Sequence, residues 1–337
     1  MNRQERVEAA ILSRPVDHVP VSIWCHFSAE DQDPVRLAEV TAETALKFDY
    51  DFVKMMPFGL YSVADLGAEI NYFSERGKPP LVKKTGISKP SDYLKLAWVD
   101  VTKGVYGRQL EFTERLARLL PGDMPYIQTV FSPLTTLHKF AGDRVLADIK
   151  LYPEEVRHAL GVITEITLDF VEENIKRGVS GFFFATQEAR RTLLSLEDFR
   201  AFAESCDIAV QESYAQRTWF NVVHLHSLDV YFEEVAAKYP SNVLNWHDQH
   251  TFPSLGEARK ITSKALLAGI AAAETVINGQ TVRDDITLTG TPATITAAVR
   301  RAIASVDGKG LLIGPGCVVD QFAKEENLLA VRRAVEL

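Results

Sequence analysis

The sequence predicts a (β/α)8 barrel, an α/β fold in which eight parallel strands alternate with helices. Eight short apolar runs recur along the 337 residues, and a stretch with helical spacing follows each run. The runs are nearly continuous rather than alternating, which indicates strands buried on both faces, as in a parallel sheet covered by helices. A chain of this length fits one such barrel better than two doubly wound domains. We therefore expect a single domain over residues 1–337.

The elements follow in order along the chain. A helix is expected over about residues 3–13. The helical pattern is clearest at 153–178, where the first turn is acidic, the last turn is basic and a glycine ends the segment. Residues 58–124 exceed a normal crossover, so we expect them to form an excursion over the barrel mouth. The predicted strands are VPVSIWC (19–25), DFVKMMP (51–57), PYIQTVFSP (125–133), VSGFFFATQ (179–187), TWFNVVHLH (218–226), NVLNWHD (242–248), ALLAGI (265–270) and GLLIGPGC (310–317).

The composition favours a soluble chain whose partner is a small molecule. The net charge of −8 and the isoelectric point near 5.6 argue against the basic surface that nucleic acids and anionic membranes need. The start of the chain is charged and amphipathic rather than a signal peptide, and no apolar run reaches the roughly 18 residues of a membrane span. Three widely spaced cysteines make a poor disulfide framework, so we expect a reducing, cytoplasmic location.

Polar residues concentrate where the predicted strands end. In such barrels the loops after the strands converge at one mouth, and the chemistry lies there. Residues two apart on a strand share a face, so His224 and His226 can direct both rings to one point. Cys317, in the turn GPGC, offers a third soft ligand. Three protein ligands with one open position are typical of catalytic zinc, and imidazole with thiolate favours zinc over magnesium or calcium. Histidines that only hydrogen-bond, and a cysteine that only packs, remain the alternative.

Four segments resemble signature regions of the uroporphyrinogen decarboxylase superfamily. They are RVEAAILSRPVDHVPVSIW, SPLTTLHKFAG, FATQEARRTLLSLEDFRAF and LIGPGCVVDQFAKEENLLAVRRAVE. The resemblance runs over nearly the whole chain and implies the same barrel fold. The porphyrinogen decarboxylases carry an arginine-rich segment, an aspartate, a tyrosine and a histidine at places that here hold Cys25 and His26, the run MMPFG, Lys139 and Pro315. Partners for a tetrapyrrole with eight carboxylates are therefore missing.

The chain resembles more closely the zinc-containing branch that moves methyl groups from a corrinoid protein to a thiol. HLHS matches the His-x-Cys motif of that branch and GPGC matches its last turn, so the resemblance implies His224, His226 and Cys317 as metal ligands. It implies methylcobalamin or a separate corrinoid protein as the methyl partner, and it suggests a homodimer. His226 replaces a family cysteine, which leaves a single thiolate and opens the choice of acceptor, including metal-bound hydroxide chemistry. A carboxy-lyase on another carboxylated substrate and a non-catalytic corrinoid-binding barrel are the competing functions.

Further candidates surround the expected metal. Glu188 matches an acidic position of the superfamily and is expected as a fourth ligand, a general base or a substrate anchor, with a salt bridge to Arg190 or Arg191 as the alternative. His247 and Asp248 are expected to orient a ligand imidazole.

Five more residues are expected to contact substrate at the mouth, although packing or an internal ion pair would also explain them. They are Trp24, Cys25, His26, Lys54 and Trp246.

Overall fold

The computed structural model describes residues 1–73, 75–277 and 280–336, and within them parallel strands and helices alternate as the sequence predicts. The strands are β1 (Val53–Lys54), β2 (Glu69–Asn71), β3 (Leu81–Lys84), β4 (Tyr126–Phe131), β5 (Gly181–Thr186), β6 (Val222–Leu225), β7 (Val243–Trp246), β8 (Ala265–Ile270), β9 (Ala272–Ile277), β10 (Gln280–Asp285) and β11 (Leu311–Pro315). Seven strands of the described part pair in parallel in the order β1-β4-β5-β6-β7-β8-β11, and helices cover their outer face, which confirms the barrel fold.

Helices connect these strands in turn. Among the described residues, every helix is too short or too polar to serve as a membrane span. The helices are α1 (Arg3–Ile11), α2 (Pro34–Lys47), α3 (Tyr61–Ala64), α4 (Gly104–Leu119), α5 (Pro133–Ala141), α6 (Arg144–Leu151), α7 (Pro153–Lys176), α8 (Leu196–Phe199), α9 (Ser205–Ala215), α10 (Phe232–Lys238), α11 (Leu255–Ile261), α12 (Ile286–Thr289), α13 (Pro292–Ser305) and α14 (Glu325–Ala334), with a 3-10 helix at Pro90–Lys95 and a π-helical segment at Arg200–Glu204.

The first predicted strand, residues 19–25, lies between β11 and β1 but forms only isolated bridges. The bridges join Val21 to Ile313 and Cys25 to Val319. On the other side, the amide of Asp51 donates to the carbonyl of Val21 at 2.9 Å. Two residues of this segment cannot donate a backbone hydrogen bond to a neighbouring strand. Residue 20 is a proline and has no N–H, and the amide of Val21 donates to the Asp51 side chain. The segment thus fills the eighth position of the barrel without regular strand pairing.

Alternation along the strands separates an inner core from a layer beneath the helices. On β5, Phe183 packs inside the barrel, whereas its neighbours Phe182 and Phe184 pack against the helices. The same rule holds on β7, where Val243 is internal and Leu244 is external. Burial on both faces explains why the strand sequences are continuously apolar.

Residues 58–124 contain the β2–β3 hairpin, the 3-10 helix and α4. The antiparallel hairpin reaches the barrel mouth, because Gly77 and Pro79 line the cavity there together with Cys317. Helix α4 packs against α2 and α7 in the outer layer. A second antiparallel hairpin, β9–β10, follows β8 and was not predicted. That residues 1–337 act as one domain stays a prediction.

Candidate metal centre

Four side chains that can bind a metal meet at the mouth of the barrel. His224 lies on β6 and His226 directly follows that strand, while His247 directly follows β7. Cys317 lies two residues after the end of β11. One ligand-capable atom from each residue lies within 4.8 Å of the others. The structure therefore brings together the three predicted ligands. It adds His247, which the sequence analysis expected to orient a ligand imidazole.

Strand register explains why the histidines meet. β6 and β7 pair in parallel with His224 opposite Asn245, so two residues further along His226 lies level with His247. The ring centroids of His226 and His247 are 5.3 Å apart. Lower in the barrel, the ring of His224 stacks on Phe183 at 5.3 Å. Parallel pairing thus delivers three imidazoles to one end of two neighbouring strands.

Gly316 lets Cys317 approach this group. A Cβ atom at Gly316 would lie 3.0 Å from the Cα atom of His247 and 3.1 Å from the carbonyl oxygen of Trp246. The Gly316 amide also donates to the carbonyl of Ile270 at 3.0 Å, which ties the turn to β8. A side chain at Gly316 would therefore push the two loops apart by a few tenths of an ångström.

Asn245 fixes the proton on His224. The amide nitrogen of Asn245 donates to the carbonyls of Leu267 and Pro315, at 2.7 and 3.1 Å, so its oxygen must act as an acceptor. That oxygen lies 2.6 Å from Nδ1 of His224, which therefore carries the hydrogen. Burial lowers the pKa of His224 well below its ordinary value and keeps the ring neutral. The Nε2 lone pair of His224 is left for a metal.

His247 has the opposite arrangement of its ring nitrogens. The amide of Ser227 donates to Nε2 of His247 at 3.1 Å, so the hydrogen of the neutral ring lies on Nδ1. Burial lowers the pKa of His247 to about 2, which keeps the ring neutral. Among the described residues, this buried Nδ1 has no hydrogen-bond partner. A buried polar atom without a partner indicates a missing group. That group is either a bound molecule that accepts the Nδ1 hydrogen, or a metal that binds Nδ1 after the hydrogen moves to Nε2 and the bond from Ser227 is lost.

His226 and Cys317 form the open side of the cluster. Nδ1 of His226 lies 3.6 Å from Sγ of Cys317, and both side chains are partly exposed. They line a cavity of about 480 Å³ at the mouth, together with His26. Burial lowers the pKa of His226 to about 4 and that of His26 to about 3, so both rings are neutral at pH 7. Within the cluster, His224 and His247 are thus buried on one side, and His226 and Cys317 face the cavity on the other.

Glu188 lies outside the four-residue cluster, and each of its carboxylate oxygens has a hydrogen-bond partner. One carboxylate oxygen lies 3.0 Å from Nδ1 of His138, and the other accepts from the hydroxyl of Thr135. The bond to Glu188 raises the pKa of His138. The arginines weighed as alternative partners bond elsewhere, since Arg190 donates to the Ser227 hydroxyl and Arg191 donates to the Val230 carbonyl.

Strand alternation also separates Trp246 and Asp248 from the cluster. Trp246 points to the helix layer, where its ring packs on Phe232 and its Nε1 donates to the carbonyl of Pro253 at 2.7 Å. Asp248 accepts from the Gly269 amide at 3.3 Å, and burial raises its pKa to about 6. Asp248 forms no hydrogen bond to a cluster histidine within the described residues. Asn245, rather than Asp248, makes the hydrogen bond that orients a cluster histidine, His224.

The remaining predicted substrate residues divide between two cavities. His26 lines the mouth cavity, whereas Trp24, Cys25 and Lys54 line a second cavity of about 240 Å³. Cys25 packs with the outer layer, and burial raises its pKa to about 12. Burial lowers the pKa of Lys54 to about 7.

Sequence reasoning missed Asn245 and His138, which contact the predicted residues directly. Asn245 stands two residues before His247 in NVLNWHD, so the period of two on an otherwise apolar strand was a usable signal. His138 lies on α5 and meets Glu188 only through the packing of that helix beside β5. No local pattern marks such a contact.

Comparison with protein-family models identifies the family to which the chain belongs. The model described as Uroporphyrinogen decarboxylase (URO-D) matches residues 2–336. The chain belongs to the URO-D family. The resemblance of the four sequence segments to that superfamily is thus confirmed, and the URO-D barrel accounts for the observed fold.

Solved structures agree with the URO-D fold. A methyltransferase from Methanosarcina mazei superimposes with a TM-score of 0.82 at 18% identity, covering 99% of this chain and 98% of that one. A B12-independent methionine synthase from a Shewanella species in complex with selenomethionine gives a TM-score of 0.58 at 13% identity, covering 95% and 94%. A putative vitamin-B12 independent methionine synthase from Listeria monocytogenes gives 0.54 at 11%, covering 94% of each chain. Comparison with curated proteins gives no match.

Proposed function

We propose that the protein is a zinc-dependent methyltransferase that moves a methyl group between a corrinoid and a small thiol. The observation that carries the proposal is the cluster of His224, His226, His247 and Cys317, whose ligand atoms lie within 4.8 Å of one another beside the mouth cavity. The related structure from Methanosarcina mazei is described as a methyltransferase, which supports the reaction class. The two methionine synthase structures support methyl transfer as well, although both are described as B12-independent.

The side chains present fit a zinc ion. Neutral imidazoles and a cysteine are the nitrogen and sulfur donors that zinc prefers. His224 has a fixed Nε2 lone pair, and the unpartnered Nδ1 of His247 indicates that the cluster lacks a group. We assign His224, His226 and Cys317 as the ligands, with His247 as either a fourth ligand or a donor to the bound substrate.

The chain itself would bind and orient the acceptor. When bound, zinc lowers the pKa of a coordinated thiol and presents the acceptor as a thiolate. His226 and Cys317 face the mouth cavity, so an acceptor reaches the cluster from that side. His224 and His247 are buried behind them and exclude water from the far side.

The donor set bears on which acceptor is used. Cys317 is the one cysteine of the cluster. The family resemblance implies a second cysteine at the position that His226 occupies here. An imidazole adds no negative charge, so the metal remains a stronger Lewis acid and the bound thiolate a weaker nucleophile than with two thiolates. Because a stronger Lewis acid can ionise a less acidic thiol, we expect an acceptor whose thiolate is intrinsically more nucleophilic.

The methyl partner is proposed to be a corrinoid carried by a separate protein that docks over the mouth. The β2–β3 hairpin lines one side of the mouth cavity and would form part of that docking surface. No disulfide joins the three cysteines within the described residues, which supports a reducing, cytoplasmic location. We also propose a homodimer, on the resemblance to the family alone.

Demethylation of methylcobalamin by a panel of thiols tests the activity. The zinc-loaded protein is expected to produce the thioether and to lose most of its rate in the Cys317→Ser variant. Cys206→Ser is the matched control, because Cys206 is partly buried in α9 and lies outside the cluster. Equal rates in the two variants, or no thioether with any thiol, would overturn the proposal.

A further inference from the structure

A second cavity lies beside the metal cluster and opens through the barrel wall. It occupies about 240 Å³ between residues 22–27, β1 and helix α2. Aromatic rings form much of its lining: Trp24, Phe27, Phe48, Tyr50 and Phe52. Apolar, concave and largely preformed sites of this kind are typical of small-molecule binding.

Missing strand pairing creates this cavity. The amides of Val53 and Met55 donate to the carbonyls of Pro125 and Ile127 on the β4 side, each at 2.9 Å. On the other side, the Ser22 amide donates to the carbonyl of Ile313 at 3.1 Å. In the described part of the chain, no backbone hydrogen bond joins residues 22–26 to residues 52–56. The wall is therefore split at this point, and side chains of both strand faces line the gap.

Lys54 contributes a buried amine to the lining of the cavity. The side chain is 5% exposed, and its Nζ contacts the thioether of Met56 and lies 4.5 Å from the ring centroid of Phe183 and 5.8 Å from that of Trp24. Within residues 1–73, 75–277 and 280–336, no carboxylate pairs with this amine. An ammonium group removed from water is costly unless an anion accompanies it.

A second buried polar group points to the same conclusion. Thr41 on α2 lines the cavity, and its hydroxyl oxygen is buried without a hydrogen-bond partner among the described residues. Buried hydroxyls normally have partners, so this one indicates a contact that a bound molecule would supply. The cavity thus combines an apolar lining with one amine that pairs with no carboxylate and one hydroxyl without a hydrogen-bond partner among the described residues.

We propose that this side cavity binds a small aromatic carboxylate, with the carboxylate at Lys54 and the ring among the aromatic side chains. A cavity of about 150 Å³ accepts benzene, so 240 Å³ suits a ligand of the size of benzoate or phenylacetate. The other charged residues of the lining are Lys47, Arg76, Asp320 and Glu325, and Lys47 and Glu325 pair with each other at 2.6 Å. The remaining charges together with Lys54 leave a net positive lining that favours an anion.

The ligand would lie next to the metal cluster. Residues Val319, Asp320 and Gln321 line both this cavity and the mouth cavity, so a single segment of chain separates them. Lys54 and Cys317 also interact electrostatically. The proposal does not rest on the methyltransferase activity, because it concerns binding to the side cavity alone.

Calorimetric titration of the metal-free full-length protein with benzoate tests the proposal. Saturable binding of one benzoate per chain is expected, at least tenfold tighter than binding of benzamide, which has the same ring but no charge. Lys54→Met is expected to weaken benzoate binding at least tenfold and to leave benzamide unaffected. The matched control is Lys83→Met on the exposed β3 strand, which should bind benzoate like the wild type.

A second variant covers the case in which Lys54→Met fails to fold. Ala45 on α2 lines the cavity, and Ala45→Leu adds apolar volume into it without changing any charge. That variant should lose benzoate binding. Absent benzoate binding in the wild type, equal affinity for benzoate and benzamide, or unchanged binding in either cavity variant would overturn the proposal.

Discussion

Asn245 controls the cluster although it binds no metal. Its oxygen accepts the Nδ1 hydrogen of His224 at 2.6 Å, and its amide is held by two carbonyls of neighbouring strands. We predict that Asn245→Leu weakens zinc binding roughly 10- to 100-fold, because the His224 ring loses its fixed tautomer and orientation. Competition with a chromophoric chelator measures the affinity.

Asn242→Leu is the matched control for that prediction. Asn242 precedes β7 at the opposite end of the barrel and donates to the carbonyl of Trp219. The control is expected to lose stability but to bind zinc as the wild type does. Equal zinc affinity in the Asn245 and Asn242 variants would show that Asn245 does not orient a ligand.

His226 offers a second test at the scale of one side chain. We predict that His226→Cys keeps the zinc and methylates thiols several-fold faster, because a second thiolate places more charge on the metal and on the bound acceptor. Thioether production from methylcobalamin measures the rate. A variant that holds zinc yet works more slowly than the wild type would contradict the electrostatic argument.

The convergence of His224, His226 and Cys317 was predictable from the sequence, whereas the membership of His247 in the same group was not predicted. Two histidines of one strand share a face by geometry, and a cysteine in the turn after the last strand must lie at the same mouth. The position of His247 beside them depends on the register between β6 and β7, which no local pattern specifies. Trp246 and Cys25 face outward for the related reason that a shift of one residue reverses the face of a strand.

At the scale of elements, Asp51 anchors the irregular first segment to the rest of the barrel. Its carboxylate accepts from Arg6 at 2.6 Å and from the Val21 amide at 2.8 Å, and the group is almost fully buried. We predict that Asp51→Asn lowers the free energy of unfolding by roughly 1 to 3 kcal/mol, because the buried donors of Arg6 and Val21 lose their charged acceptor while Asp17 still pairs with Arg6. Urea denaturation measures the loss.

Asp49 supplies the control in the same loop. It pairs with Arg3 and Arg332, but its side chain is 52% exposed. Asp49→Asn should cost about 1 kcal/mol or less, since exposed ion pairs contribute little. Asparagine also tolerates the left-handed conformation of this residue, which has φ of 49°. Similar losses in both variants would contradict the anchoring role of Asp51.

Asp207 makes the packing of α9 sensitive to pH. It accepts hydrogen bonds from the hydroxyls of Ser132 and Tyr239, and burial raises its pKa from 3.8 to about 7. Between these two values the unfolded chain releases a proton that the folded chain keeps, so the free energy of unfolding falls as pH rises. Below pH 3.8 and above pH 7 the group contributes no slope.

Asp207→Asn should remove this dependence. From pH 4 to pH 7, the wild type is expected to lose up to about 1.4 kcal/mol of unfolding free energy per pH unit relative to the variant. Urea denaturation at pH 4.5, 5.5 and 6.5 measures it, and titrations common to both proteins cancel. Parallel pH profiles for the two proteins would show that Asp207 is ionised throughout this range.

At the scale of the whole molecule, the barrel was predictable but its two cavities were not. Buried apolar runs mark each strand, because both faces of a parallel strand are covered. Whether neighbouring segments pair is decided by individual hydrogen bonds, such as the Val21 amide that donates to Asp51 rather than to a strand. The split between residues 22–26 and β1 follows from those bonds, and it places Lys54 and Trp24 in a cavity beside the mouth cavity.

Closure of the chain into one barrel brings residues from the middle and the end of the sequence to a common mouth. His224 and Cys317 are 93 positions apart, yet they belong to a group whose ligand atoms all lie within 4.8 Å. We propose that this group holds one zinc ion. Its removal by a chelator should therefore abolish methyl transfer and leave the far-UV circular dichroism of the barrel nearly unchanged.

Zinc content combined with X-ray absorption at the zinc edge determines whether the four-residue cluster holds a metal and through which atoms. The wild-type protein is expected to hold one zinc per chain with a single sulfur ligand and otherwise nitrogen or oxygen. Cys317→Ser should remove the sulfur signal and His224→Ala should reduce the zinc content, whereas Cys206→Ser should change neither. A folded wild-type protein that retains no zinc after loading, or a sulfur signal that persists in Cys317→Ser, would contradict the assignment.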